Sequence, residues 1–243
     1  MTQQWRELLF MHWPVAVEVL RPLVPVPLAI DLFAGAAYVG LVPFVVRRAR
    51  VVATPAALGL SFLETNVRTY VHLDGRAPGV YFFSLDAASL LAVVGARAAF
   101  GLPYFLAKGG LCHGDGAADY RLSRVGGGRP GLAVRYQLGD HLGPSAPGTL
   151  AHFLLERYLL HVRRGPMLWT AQVHHRPYPA QAARVLDLSD TLIAAAHLPE
   201  PSGPPPLVHY AAGVDVLIYP PRARLVRAGS DHPGRAAGRQ LTV

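Results

Sequence analysis

Between Glu64 and Val71 the chain reads ETNVRTYV, in which polar residues alternate with β-branched or apolar ones at a period of two. A β-strand imposes that period, so Glu64, Asn66, Arg68 and Tyr70 fall on one face and Thr65, Val67, Thr69 and Val71 on the other. The stretches LAIDLF, AAYVGLVPFVV and GVYFFSL are dense in β-branched and aromatic residues and end at Gly, Pro or Asp, which predicts further strands. The polar row of ETNVRTYV has two readings: a solvated outer face, or the floor of a cavity. GVYFFSLDA, just downstream, is apolar almost throughout and favours a sheet buried on both sides, hence the cavity.

The period changes in DAASLLAVVGARAAF, where helical spacing of Leu90, Leu91, Val94 and Arg97 predicts a helix over about Ala87 to Ala99 with Asp86 as its cap. A short helix is expected from Pro14 to about Pro22, and another in GTLAHFLLERYLLHV. DYRLSRVG and LAVRYQLGD, joined by GGGRPG, read as an antiparallel hairpin, PMLWTAQVHHRPY as a strand, and LVHYAAGVDVLIYPP as a strand pair. PEPSGPPP is a surface loop, and the tail from 222 to 243 is expected to be poorly ordered. Many short strands with a few helices between them predict an antiparallel, β-dominated α+β protein and not a doubly wound sheet. The 243 residues are read as one domain, with a core from about 5 to 221.

Composition narrows the function classes. The formal charge is +8, but the arginines are scattered with no nucleic-acid-binding motif beside them, so nucleic acid is not an expected partner. The apolar run Leu28 to Val46 is long enough to span a membrane, yet it holds Asp31, Gly35, Gly40 and Pro43, so two buried strands are expected instead. No clean signal-peptide core is present, and a cytoplasmic location is the expectation. A single cysteine, Cys112, excludes an intrachain disulfide and with His113 is too little for zinc. No dinucleotide, P-loop, HExxH or GxSxG fingerprint occurs, so neither organic cofactor nor metal is expected.

Three groups of residues remain as candidates for chemistry. Arg68 is suited to bind a carboxylate, with Glu64 orienting it or moving a proton. Tyr104, Leu106 and Lys108 share a face if LPYFLAK is extended. Lys108 is the only lysine in the chain: in an apolar setting it would be a nucleophile, at a strand end a solvated charge. His174 and His175 point to opposite faces of a strand, while His209 and Asp215 are placed to meet across a turn as base and orienter.

LLFMHWPV, LRPLVP, ETNVRTYV, PGVYFFSLDA, GARAAFGLPYF and VHYAAGVDV together resemble the YqjF-like proteins, bacterial domains of unknown function, over about Trp5 to Pro221. That family is similar in fold to acetoacetate decarboxylase, which implies a large cone-shaped or barrel-like antiparallel sheet enclosing a cavity, with helices outside. The decarboxylase places two lysines after a Gly-x-Pro. Here Tyr104 and Phe105 follow Gly101-Leu102-Pro103, so the resemblance does not carry its Schiff-base chemistry over. It does imply that Glu64 matches a cavity glutamate and Arg21 a cavity arginine. The resulting expectation is a protein that binds a small organic acid or oxygenated metabolite through Arg21, Glu64, Asn66, Arg68 and Tyr104. The alternative is a lyase, hydratase or isomerase for a carbonyl compound using Glu64 or Lys108, and a third reading is a structural protein with a filled core. The expected partner is the small-molecule ligand, with no membrane, and a homo-oligomer is left open.

Overall fold

The computed structural model describes every residue except 54, 56, 57 and 227–243. In chain order the elements are β1 (Thr2–Val15), α1 (Val17–Leu20), β2 (Leu28–Ile30), β3 (Ala37–Arg50), β4 (Leu60–Leu73), β5 (Arg76–Ala87), α2 (Leu90–Phe100), β6 (Tyr104–Gly114), β7 (Ala117–Arg124) and β8 (Gly131–Gly143). They continue with α3 (Leu150–Leu155), β9 (Leu159–Arg164), β10 (Met167–His174), β11 (Ala180–Asp190), α4 (Leu192–Ala195), β12 (Leu207–Ile218) and β13 (Arg222–Leu225). These strands form one large curved sheet, antiparallel except where β5 runs parallel to β6 and β9. Parallel neighbours need a crossover, and α2 supplies the one from β5 to β6.

Extra pairings of β5 with β4 and of β10 with β12 turn the sheet back on itself. One ring of strands is β4, β5, β9, β10, β12, β1 and β3; a second passes from β5 through β6, β7, β8 and β11 to β12, β1, β3 and β4. The strands β1, β3 and β4 therefore separate two cores. Leu8 and Phe10 of β1, Val42 and Phe44 of β3, and Phe62 and Tyr70 of β4 enter the first core. Leu9 and Met11, Val39 and Leu41, and Val67 and Val71 enter the second. Burial on both faces is why these strands read as continuous apolar runs, the signature that made Leu28 to Val46 look long enough for a membrane. Among the described residues no helix is long and apolar enough to cross one.

The sheet-dominated architecture expected from the sequence is the one observed, with local corrections. Pro14 lies in β1 opposite Tyr38, and the early helix shrinks to α1 because the demands of two cores carry the strand period past it. Asp86 does not cap a helix. Ala87 is still in β5, and α2 begins at Leu90 with the Ser89 hydroxyl accepting from the Ala92 N–H; it ends at Gly101 in the left-handed conformation. GTLAHFLLERYLLHV divides into α3 and β9, and LVHYAAGVDVLI is one strand rather than two. Gly213 does not turn the chain: with φ +150° it lets β12 pass so close to β1 that a Cβ would sit 2.3 Å from the Trp5 carbonyl oxygen. Of the tail expected to be poorly ordered, Arg222–Leu225 pairs with β10 as β13, and 227–243 lie outside the described residues.

Candidate functional site

The first core is not filled. Inside its ring lies a cavity of about 620 Å³. Alternation along β4 sends every second residue into it, in the order Leu60, Phe62, Glu64, Asn66 and Arg68, over roughly 26 Å of strand. Leu60, paired with Ala49, lies at the mouth, which α2 also lines with Leu91, 70% exposed. Arg68 lies at the closed end near Leu155, Leu160 and Tyr178, and is 8% exposed. The walls are apolar: Leu8 and Phe10 from β1, Val42 and Phe44 from β3, Phe82 and Leu85 from β5, and Val173 from β10. Tyr104, first residue of β6, enters at the level of Asn66, because it pairs with Leu85, which in turn pairs with Asn66.

At the closed end Arg68 is a buried cation with no acidic partner among the described residues. Its Nη2 donates to the Leu154 carbonyl at 3.1 Å, its Nε is buried with no hydrogen-bond partner, and its guanidinium lies 5.5 Å from the Phe10 ring and 5.7 Å from that of Tyr70. The Tyr70 hydroxyl also donates to Leu154 O, at 2.8 Å. Its one proton thus used, the 2.7 Å bond between Tyr70 and His12 must be donated by His12 Nε2, which leaves Nδ1 buried without a partner. Burial, and then Arg68, hold the His12 pKa well below the ordinary imidazole value, so the ring is neutral and adds no further charge. Arg157, the cavity's other buried arginine, differs: it pairs with Asp31 at 2.7 Å and stacks 4.1 Å from the Phe153 ring. One arginine is neutralised and the other is not. An unpaired buried charge is costly unless something arrives to pair with it.

Midway along the row the Tyr104 hydroxyl donates to Glu64 Oε2 at 3.0 Å. Burial pushes the Glu64 carboxyl up to about 8 despite that bond, and the charge of Asp86 pushes the same way. Tyr104 is driven well above its usual value by burial and by Glu64, so its O–H remains a donor. Beside Asn66, whose Oδ1 is buried without a partner, Glu64 is thus a neutral acid below about pH 8. The linkage has a definite sign. A carboxyl whose folded pKa lies above its unfolded value stabilises the fold fully below about pH 4.5, and that contribution drains away as pH rises through about 8. Urea unfolding of wild type and Glu64→Gln at several pH values should show wild type losing ground to the variant across that window. Parallel profiles would mean that Glu64 is already ionised.

The structure brings Glu64, Asn66, Arg68 and Tyr104 into one cavity and keeps two other candidates out. Arg21 reaches the carbonyls of Val24 and Leu28 and ties the turn after α1, away from the cavity. Lys108 is exposed on a separate surface groove with Arg121 and Arg129, because β6 pairs with β5 only through Leu106 and from Ala107 on runs with β7, away from the cavity. His209 and Asp215 lie in one strand, six residues and about 20 Å apart, and Asp215 pairs with Arg6. His174 is exposed and His175 buried, as their parity predicts. Among the described residues no group of three His, Cys, Asp or Glu could hold a metal ion. Arg157 was missed, for it sits in a stretch read as helix, and so was the Asp86–Arg124 pair, whose members lie 38 residues apart.

Three comparisons bear on this site. The protein-family model DUF2071, described as an uncharacterized conserved protein, matches residues 2–215. The uncharacterized protein YqjF of Bacillus subtilis is 38% identical over 226 residues, 91% of each chain. Among solved structures, the enduracididine biosynthesis enzyme MppR complexed with pyruvate superposes with a TM-score of 0.62 at 15% identity, covering 91% of this chain and 89% of the other. Acetoacetate decarboxylase from Legionella pneumophila gives 0.58 at 13% identity, over 93% and 88%. At those identities the likeness is one of fold.

Proposed function

For a chain that belongs to the DUF2071 family and has an acetoacetate decarboxylase-like fold, we propose the binding of a small organic acid, without covalent attachment, in the cavity of the first ring. The observation that carries this reading is Arg68, a buried cation open to the cavity and lacking an acidic partner. A ligand carboxylate supplies that partner, and a desolvated guanidinium binds one strongly. Asn66 and the Glu64–Tyr104 pair then face whatever oxygen the ligand carries further along. The pyruvate in the structurally similar MppR complex is an acid of this class. Tyr104 and Phe105 follow the Gly101-Leu102-Pro103 turn, and the only lysine, Lys108, is outside the cavity, so no lysine amine lines it for a Schiff base.

One observation favours a catalytic variant of the same reading. A carboxyl held near 8 and hydrogen-bonded to a phenol suits proton transfer at neutral pH, so Glu64 would be the acid or base of a lyase, hydratase or isomerase acting on a carbonyl compound. The test of binding is calorimetric titration of the full chain with short oxo acids and with the matching carboxamides. The acids should bind and the amides should not, since only the acids neutralise Arg68. Equal binding of both, or of neither, overturns the assignment.

A further inference from the structure

The site offers far more room than a three-carbon acid uses. At about 620 Å³ the cavity is in the range that encloses drug-sized molecules, and a water molecule's share of liquid volume is about 30 Å³. The unused room is not evenly polar. From the closed end, β4 presents Arg68, Asn66 and Glu64 in succession, and from Phe62 outward to Leu60 the row is apolar. Phe44, Phe82 and Leu85 continue that apolar wall around the ring.

The neck is also lined by α2, and the residues it turns to the cavity include Ala92, Gly95, Ala96 and Ala99. Larger side chains there would close the neck; these leave it open. Around the mouth, where Gln3 and Arg50 also line the cavity, Leu91 is 70% exposed. Apolar surface continuous from inside a cavity to its rim marks a place that another apolar group covers. At the far end the unpartnered Asn66 Oδ1 and Arg68 Nε, on side chains more than nine-tenths buried, fix where the polar part of that molecule must go.

From this gradient we infer that the ligand is an amphipathic monocarboxylic acid: its carboxylate at Arg68, an oxygen substituent opposite Asn66 and Glu64, and an extended apolar tail running out between Phe62 and α2. The inference rests on the acid-binding reading and deepens it. Head-first entry is required, because a tail placed against Arg68 would leave the charge unpaired and the carboxylate among phenylalanines.

The test is titration of the full chain with straight-chain 2-oxo acids of three to about twelve carbons. Affinity should rise about threefold to fourfold for each methylene that becomes buried, and level off once the tail clears the mouth. Ala96→Phe, on the neck face of α2, should erase the gain from long tails while the three-carbon acid binds as before. Its fold is checked by the same short-acid titration. Binding of short acids with no gain from length, or long-tail binding untouched by Ala96→Phe, overturns the tail while leaving the acid site standing. No binding of any acid by the wild type overturns both.

Discussion

Replacing Arg68 by Met should weaken acid binding by at least about 100-fold without loss of stability. The two halves of that expectation have separate causes. The guanidinium is held by one carbonyl and two aromatic faces, and its Nε has no partner. Removing it orphans nothing, because Leu154 O keeps the Tyr70 hydroxyl at 2.8 Å. Met fills much of the same volume without a charge to desolvate, so urea unfolding should give equal or greater stability. Binding loses the cation that has no acidic partner among the described residues. An Arg68→Met protein with wild-type affinity would remove Arg68 from the site, and one that unfolds several kcal/mol more easily would make it a structural residue.

The opposite behaviour is expected of Arg124. Its Nε and Nη2 donate to the two oxygens of Asp86 at 2.7 and 3.0 Å, and its guanidinium lies 3.6 Å from the Phe105 ring. The Asp86 side chain is wholly buried, with Ser84 as its other donor. Arg124→Met strands that carboxylate, and breaking a buried pair from one side costs about 3–5 kcal/mol. Adding Asp86→Asn removes the stranded charge, so the double variant should recover most of the loss in urea unfolding. A single variant within about 1 kcal/mol of wild type would show that water reaches Asp86. The contrast is informative: of these two arginines, the paired one holds the fold and the unpaired one is free to serve a ligand.

Much of this was legible in the chain. Alternation in ETNVRTYV placed Glu64, Asn66 and Arg68 together, because strand parity is local and survives the irregularity opposite it, where β5 skips a residue between Ser84 and Phe82. The resemblance to the YqjF-like proteins carried the sheet-dominated fold. What failed depended on where a strand goes next. Lys108 keeps the parity of Tyr104 and Leu106, but β6 parts from β5 before reaching it. His209 and Asp215 needed a turn that Gly213 does not make. Asp86 looked like a cap because an acid before a helical run usually is one, and nothing within its own segment announces Arg124.

The partition of β4 between two cores has a consequence for folding. A slip of one residue in its pairing with β3 or β5 would turn Glu64, Asn66 and Arg68 toward Val67's side, into the apolar core that includes Leu41, Met11 and Leu122. At the same time Thr65, Val67 and Thr69 would replace them in the hollow. Each polar group so misplaced would be desolvated without a partner, so the mispaired sheet is penalised at three positions at once. The residues that receive the ligand also act as a registration mark: they allow the strand one alignment, and they do so before any ligand is present.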